Sequence, residues 1–410
     1  MKYFLTLTIA LAPIFCFGQT RTLSDYIQLA KDNNATLKGF QNQILSNQLD
    51  SQIVKATTKT QVNFLSNDLY APVIGGWGYD EAITNIAQVS ALIQATKIFL
   101  SKGNLAAQYR AVSLQSQSLR DTMQLSMKDL VKTITEQYII AYGDQLTMDY
   151  SRELFELLKK EEEALKKLVQ SGVIKQTEFL AFTITMQQQE LTYLQAQIQY
   201  NADYLTLNYL AGIVDTAVSR IEEPGLEDSL PHDFYSSAFY QRYITDSLRI
   251  VNERHLIDYS YRPTIGAFAD AGFNSSMQLT PYKNIGYSVG VNIKMPLYDA
   301  HQKKLKYQKL DIEERTRVTN KNFFINQYNQ QVAQLTIQLQ ATEQLFEKIR
   351  QQVNYTKTLI IAYEKLLETG DVKVMEFVTA ITNYLNAQNS FRQNFISRLK
   401  IMNQINYWNQ

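Results

Sequence analysis

Residues 285 to 294 read IGYSVGVNIK, and MPLY follows at 295 to 298. Large apolar residues alternate here with polar or small ones, and this two-residue period is that of a β-strand with one apolar face. Residues 265 to 274 alternate in the same way, and a polar segment rich in turn-forming residues separates the two stretches. This pattern predicts an antiparallel hairpin.

Beyond Pro296 the period changes to that of a helix. No proline follows Pro296, and Gly370 is the only glycine after residue 290. These breakers predict one uninterrupted helix over 300–369, a tight turn at Gly370 and a return helix to the C-terminus. Apolar residues recur at spacings of three and four along the first helix, interrupted only by Thr342 and Thr356, which predicts a supercoiled helix. This seam consists of Ile325, Tyr328, Val332, Leu335, Leu339, Phe346, Ile349, Val353, Ile360, Tyr363 and Leu367.

The first half of the chain has a similar organisation. A helical pattern over 102–170 breaks at Ser171-Gly172 and resumes from about 177 to 210, with weaker strand patterns near 61–70 and 83–96 upstream. One offset of 198 residues relates the two breaks, since Gly172, Lys175, Glu178 and Phe179 recur as Gly370, Lys373, Glu376 and Phe377. We interpret this as an internal duplication, with a first repeat over 19–213, a linker over 214–236 and a second repeat over 237–410.

The N-terminus has the pattern of a secretory signal peptide over 1–18. Lys2 precedes an apolar run over 3–15, and Cys16-Phe17-Gly18 provides a cleavage site. Cleavage after Gly18 removes the only cysteine, so the mature chain would contain no disulfide. Lipidation of Cys16 is the alternative, although the preceding residues lack the small side chains that such processing prefers.

Composition restricts the classes of partner. The chain has 40 basic and 39 acidic side chains, and this balance argues against a nucleic-acid partner. A mean hydropathy of -0.25 excludes a bundle of membrane-spanning helices. Any insertion into a membrane must therefore use the strands.

Four strands with one oily face cannot close a membrane barrel. A closed sheet needs about eight strands or more, so three chains would supply twelve. The helix over 102–170 would be roughly 100 Å long at about 1.5 Å per residue, enough to cross much of a periplasm. We therefore expect a mainly α fold in which long antiparallel helical hairpins form an α-barrel and four strands per chain join a trimeric β-barrel.

The sequence resembles the outer-membrane efflux proteins typified by TolC. The resemblance spans almost the whole mature chain and is carried by LSDYIQLA at 23–30, YRP at 261–263, MPLY at 295–298 and two Gly-x5-Glu-Phe turns. It implies a homotrimer in outer-membrane lipid whose helices project into the periplasm. It also implies a periplasmic adaptor (membrane fusion protein) and an inner-membrane pump as partners, in an efflux or type I secretion system.

The resemblance also implies that the tube closes near the two turns. Gly172, Lys175, Glu178, Gly370, Lys373 and Glu376 are the candidate tip residues. Glu376 matches an acidic residue of the constriction, and Glu178 matches one that pairs between helices. Other expected latch positions hold Thr379, Leu367 and Val372, so the sequence also allows these charged residues to be ordinary solvated turn residues.

Two other classes of protein remain to be weighed. A periplasmic coiled-coil adaptor or structural spacer would share the signal peptide and the helical hairpins, but it would not need oily strands. For an enzyme we find no nucleophile, paired acids or metal cluster, and no residue pattern that would hold a cofactor. His232, His255 and His301 are scattered and lack metal-ligand spacing.

Overall fold

The computed structural model describes residues 21–79, 86–226, 234–276, 280–369 and 371–409. The predicted signal peptide with Cys16, the histidine His232 and the turn residue Gly370 lie outside these described residues.

Seven α-helices and four β-strands make up most of the described chain. The helices are α1 Leu23–Asn33, α2 Ala35–Thr57, α3 Lys102–Gln170, α4 Gln176–Leu210, α5 Ala238–Ser260, α6 Gln302–Thr369 and α7 Val374–Asn409. The strands are β1 Gln61–Ala71, β2 Ile86–Phe99, β3 Thr264–Ser275 and β4 Ile285–Lys294, and short 3-10 turns lie at Phe234–Ser236 and Pro281–Lys283. The predicted long helices are thereby confirmed. In each half, two strands are followed by two long helices, and the strands are preceded by α1 and α2 in the first half and by α5 in the second.

The first helix begins with a capping box. The Asp25 N–H donates to the Thr22 hydroxyl at 3.3 Å, and the Thr22 N–H donates to the Asp25 carboxylate at 2.9 Å. Because these bonds satisfy amides that have no partner within the helix, they fix its start at Leu23. Hydrogen bonds from the backbone N–H and from the hydroxyl of Thr22 also hold the pKa of the Asp25 carboxyl below its ordinary value.

The described chain divides into two compact units. One contains residues 21–35, 126–226, 327–369 and 371–409, and the other contains 36–79, 86–125, 234–276 and 280–326. Each unit combines segments from both halves of the sequence. The compact units therefore differ from the repeats that the duplication suggests.

Buried tyrosines organise one core of the first unit. Tyr26, Tyr138, Tyr200 and Tyr204 pack with Ile134 and Leu207. Their hydroxyls are bonded within the unit: Tyr138 donates to the Glu222 carbonyl at 2.8 Å, and Tyr200 donates to the Ser219 carbonyl at 2.5 Å. These bonds attach the segment after α4 to the helices, since a buried hydroxyl needs a partner.

The heptad seam of α6 faces protein, as predicted. Every seam residue from Ile325 to Leu367 is buried or half-buried. Leu335, near its middle, packs against Ile401 and Ile405 of α7.

The four strands form one antiparallel sheet in the order β1-β2-β3-β4. The β3–β4 hairpin confirms the prediction from the alternating pattern, and β1 pairs with β2 in the first half. Of the expected limits of β2, 83–96, the end was wrong: the strand continues to Phe99 because its last residues pair with the start of β3, where Phe99 lies opposite Ile265. Residues 83–85 lie outside the described chain.

Candidate functional site

One face of the sheet is apolar and exposed within the described unit. The register places Phe64, Ile93, Ala271 and Tyr287 in one row across all four strands. The alternating apolar residues of β4, from Ile285 to Ile293, are between 69% and 86% exposed. Since soluble proteins rarely leave so much contiguous apolar surface in water, this face needs an apolar environment. Asp68 of β1 interrupts it.

The opposite face of the sheet is mostly polar or small, with a few large apolar residues such as Leu65 of β1 and Phe268 of β3. Ser288 donates to Asp270 at 2.8 Å, and Gln88 donates to Asn274 at 3.3 Å. The Phe268 ring covers Gly290 so closely that a Cβ at this position would lie 2.5 Å from the ring. A strand glycine is therefore required where the aromatic ring crosses the backbone.

The two outer strands of the sheet have open edges. Within the described residues, β1 pairs only with β2, and β4 pairs only with β3. Such edges carry backbone N–H and C=O groups that cannot stay unpaired where water is absent.

The first helical turn closes around Gly172. This residue has φ +74°, which favours glycine, and lies exposed after the end of α3. The Val173 N–H donates to the Leu168 carbonyl at 3.0 Å, and the Gly172 N–H donates to the Val169 carbonyl at 3.0 Å. This is the Schellman pattern of a helix end.

The second turn repeats the same backbone bonds where it is described. The Asp371 N–H donates to the Leu366 carbonyl at 2.9 Å, which is the bond that Val173 makes to Leu168 in the first turn. The carbonyls of Lys175 and Lys373 each accept the N–H of the glutamate three residues later, at 3.0 Å. The two turns thus start α4 and α7 in the same way.

The two turns share an apolar core. Phe182 and Phe377 are fully buried in one cluster that also contains Leu158 of α3 and Ile360 of α6. The members of this cluster come from the four long helices α3, α4, α6 and α7. Apolar packing therefore brings the two predicted turns together.

The charged candidate residues do not contribute to this contact. Lys175, Lys373 and Glu376 are exposed and Glu178 is half-buried. Among the ion pairs of the described residues, none involves these four side chains. Glu178 and Glu376 lie in the first turns of α4 and α7, where the helix dipole favours an anion.

An ion pair that the sequence did not indicate links α3 to α6. The Lys160 ammonium lies 2.9 Å from the Glu364 carboxylate and 3.8 Å from that of Glu161. Glu161 is 4% exposed, so this charged residue is buried although the charges around it along α3 follow the spacing of a solvated helix face. Its burial depends on the neighbouring helix, which local charge spacing does not reveal.

The structure offers no metal centre in the part of the chain that it describes. His255 and His301 are exposed there, and they stand apart in sequence on α5 and just before α6. Within the same residues, no helix combines the length and the hydropathy that a bilayer crossing demands.

Solved structures with the same architecture include outer-membrane proteins. The chain superimposes on VceC of Vibrio cholerae with a TM-score of 0.73 and 14% identity, covering 94% of this chain and 96% of VceC. It matches the outer membrane channel CmeC of Campylobacter jejuni with a TM-score of 0.72 and 11% identity, over 95% of this chain and 87% of CmeC. For the open state of the MtrE channel of Neisseria gonorrhoeae the TM-score is 0.73 and the identity 11%, over 94% and 88% of the two chains.

The chain has the fold of these outer-membrane proteins. At 11% to 14% identity this likeness concerns the fold, and it confirms the architecture that the family resemblance implied. Compared with protein-family models and with curated proteins, the sequence matches none.

Proposed function

We propose that the chain is one third of a homotrimeric duct in the outer membrane, with its helical part in the periplasm. The observation that carries this proposal is the sheet, whose apolar face is exposed and whose two outer strands have open edges. Lipid would cover the apolar face, and the edges would pair between subunits.

The strand count supports three subunits. A closed membrane sheet needs about eight strands or more, and one chain contributes four. Pairing the free edge of β4 with the free edge of β1 in the next copy would close a ring of twelve strands. Every backbone group of the ring would then have a partner, as the bilayer interior requires.

The polar face of the sheet would line a water-filled interior. Gly286, Ser288 and Asn292 alternate with the apolar residues of β4, so they would point inward when the apolar residues face lipid. A substrate would pass along this lining without chemical change. The duct would serve as the exit of a tripartite efflux or type I secretion system and receive substrate from an inner-membrane pump and a periplasmic adaptor.

The helical turns would form the periplasmic entrance of the duct. Lys175 and Lys373 are exposed beside the two turns and would be available to an adaptor. Three copies of the exposed Glu376 would form an acidic ring, which favours cations. The alternative is that these side chains are ordinary solvated turn residues that take no part in transport.

Replacing Glu376 tests the acidic ring. Glu376→Gln should lower the cation-to-anion permeability ratio in planar bilayers, because the ring would lose three negative charges. Glu190→Gln, an exposed change within α4, is the matched control and should leave the ratio unchanged. An equal ratio in both variants would support the solvated alternative.

Fractionation and conductance test the duct itself. The full chain should fractionate with the outer membrane, migrate as a detergent-stable trimer and conduct ions in planar bilayers. A periplasmic adaptor or spacer would do none of these, and its strands would not need the exposed apolar face. A monomer that stays folded in buffer without detergent would contradict the proposal.

A further inference from the structure

Basic side chains gather at one end of the sheet. Lys97 lies near the end of β2, Arg262 precedes β3, and Lys303 and Lys306 lie in the first turns of α6. The register brings these strand ends together, since Ile98 pairs with Gly266 and Thr264 pairs with Lys294. We call the four residues Lys97, Arg262, Lys303 and Lys306 the basic collar.

Aromatic rings lie under most of the collar cations. The Arg262 guanidinium is 4.6 Å from the centroid of the Tyr259 ring, and the Lys303 ammonium is 5.3 Å from that of Tyr261. The Lys306 ammonium also lies over Tyr261, at 5.7 Å. Such cation–π contacts hold the charges at the level of the strand ends.

Most of the collar carries uncompensated charge. Asp258 lies 3.2 Å from the Lys303 ammonium, and Asp299 accepts the backbone N–H of Lys303 at 2.7 Å. The other three collar residues take part in none of the ion pairs that join described residues. The collar therefore presents net positive charge.

The position of Lys97 points to a lipid rather than a soluble anion. Lys97 lies directly opposite Ala267, on the apolar face of the sheet, and its ammonium is 5.7 Å from the Phe99 ring at the strand end. A lysine at this place can lay its aliphatic stem along lipid chains and extend its charge to the headgroups.

The opposite end of the sheet carries mainly aromatic rather than basic side chains. In the described residues beside those strand ends, Lys283 is the basic residue, and the exposed side chains include Trp77, Tyr79 and Tyr282. Aromatic residues settle at a membrane interface without selecting for charge. Of the two ends, as far as the described residues show them, the collar end is the one that matches a layer of phosphate groups.

We propose that the basic collar binds the phosphate groups of anionic phospholipids. The proposal rests on the proposed function, because the sheet must be inserted in a bilayer for lipid headgroups to reach the collar. The collar would then set the depth of the sheet in the membrane.

Spin-labelled lipids test this inference in the full-length trimer, reconstituted in phosphatidylcholine bilayers. At low ionic strength, labelled phosphatidylglycerol should associate several-fold more strongly than labelled phosphatidylcholine. Loss of one collar charge should lower this ratio by about fivefold or less, and the double variant Lys97→Gln/Lys306→Gln should bring it close to one. The control variant Lys348→Gln/Lys357→Gln, on the exposed surface of α6, should keep the ratio of the unmodified protein.

The source of the phosphate group is tested separately. Inorganic phosphate should displace labelled phosphatidylglycerol no more than sodium chloride does at the same ionic strength. Specific displacement by phosphate would assign the collar to a soluble anion and overturn the lipid proposal.

Conductance in the same phosphatidylcholine bilayers separates the two proposals. If the trimer conducts but binds both labelled lipids equally, the collar inference is wrong and the duct stands. If the chain neither inserts nor conducts, the duct proposal fails, and the collar inference fails with it.

Discussion

Asp144 of α3 is a carboxyl group with an unusual environment. Burial raises its pKa to about 7, the nearby Asp203 of α4 adds to the rise, and Arg392 and Lys400 of α7 oppose it. Burial also acts to raise the pKa of Asp203, but hydrogen bonds from Asp144, Gln199 and Gln137 outweigh it and leave that pKa below its ordinary value. At neutral pH the two carboxyls therefore share a site in which Asp203 carries the charge and Asp144 is partly protonated.

This pair predicts a pH-dependent stability. The ordinary pKa of Asp144 is 3.8, so between about pH 4 and pH 7 the folded chain holds a proton that the unfolded chain has released. The free energy of unfolding should therefore decrease as pH rises through that window. Asp144→Asn should flatten this slope in urea unfolding followed by circular dichroism. Asp32→Asn, an exposed change on α1, is the control, and an unchanged slope in Asp144→Asn would show that another group is responsible.

At the scale of the elements, equivalent phenylalanines of the two turns lie in different environments. Phe377 is fully buried, whereas Phe179 is half-buried beside the same cluster. The two turns therefore share their backbone hydrogen bonds but not the packing of each side chain.

This difference predicts unequal effects of truncation. Phe377→Ala should lower the free energy of unfolding by about 3–5 kcal/mol, because it removes buried contacts and leaves a cavity. Phe179→Ala is the matched change and should cost clearly less. Thermal and urea unfolding of the purified trimer would measure both, and equal losses would contradict the described core.

Replacing the turn glycine should strain the backbone without disturbing the packing of side chains. Gly172 has φ +74° and has open space around an added Cβ, so Gly172→Ala should cost about 1 kcal/mol through strain alone. Gly39 lies inside α2, also with open space, and Gly39→Ala should stabilise by up to about 1 kcal/mol. Chemical denaturation should show these opposite signs, and a shared sign would argue against the left-handed turn.

At the scale of the whole molecule, the two faces of β4 should respond oppositely to charge. Val289→Lys places a cation on the apolar face, where it should cost about 2–4 kcal/mol in a bilayer. Asn292→Lys places the same charge on the polar face and should be tolerated. The yield of detergent-stable trimer in outer-membrane fractions would compare the two, and equal yields would contradict a lipid-facing role for Val289.

Periodicity made the long elements predictable. The absence of proline after Pro296 and the seam from Ile325 to Leu367 predicted α6, because helix breaking and apolar spacing are local properties of a chain. The exposed face of β4 followed from alternation for the same reason. Of the candidate tip residues, the sequence located the turns, but the roles of Lys175, Glu178, Lys373 and Glu376 stay predictions.

Contacts between distant segments were not predictable. β2 pairs with β3 of the other hairpin, and Lys160 of α3 forms an ion pair with Glu364 of α6. The burial of Glu161 likewise depends on more than its own helix. Nothing in the local pattern of either partner specifies the other.

The amino-acid pattern alone determined which segments become helices or strands and which strand face is oily, since these follow from spacing along one chain. The folded arrangement decided that the two hairpins join into one four-stranded sheet, that buried tyrosines attach the segment after α4, and that the two turns pack around Phe182 and Phe377. The physical reason is that burial and pairing depend on what a neighbouring element presents, and that is known only when the elements are in place.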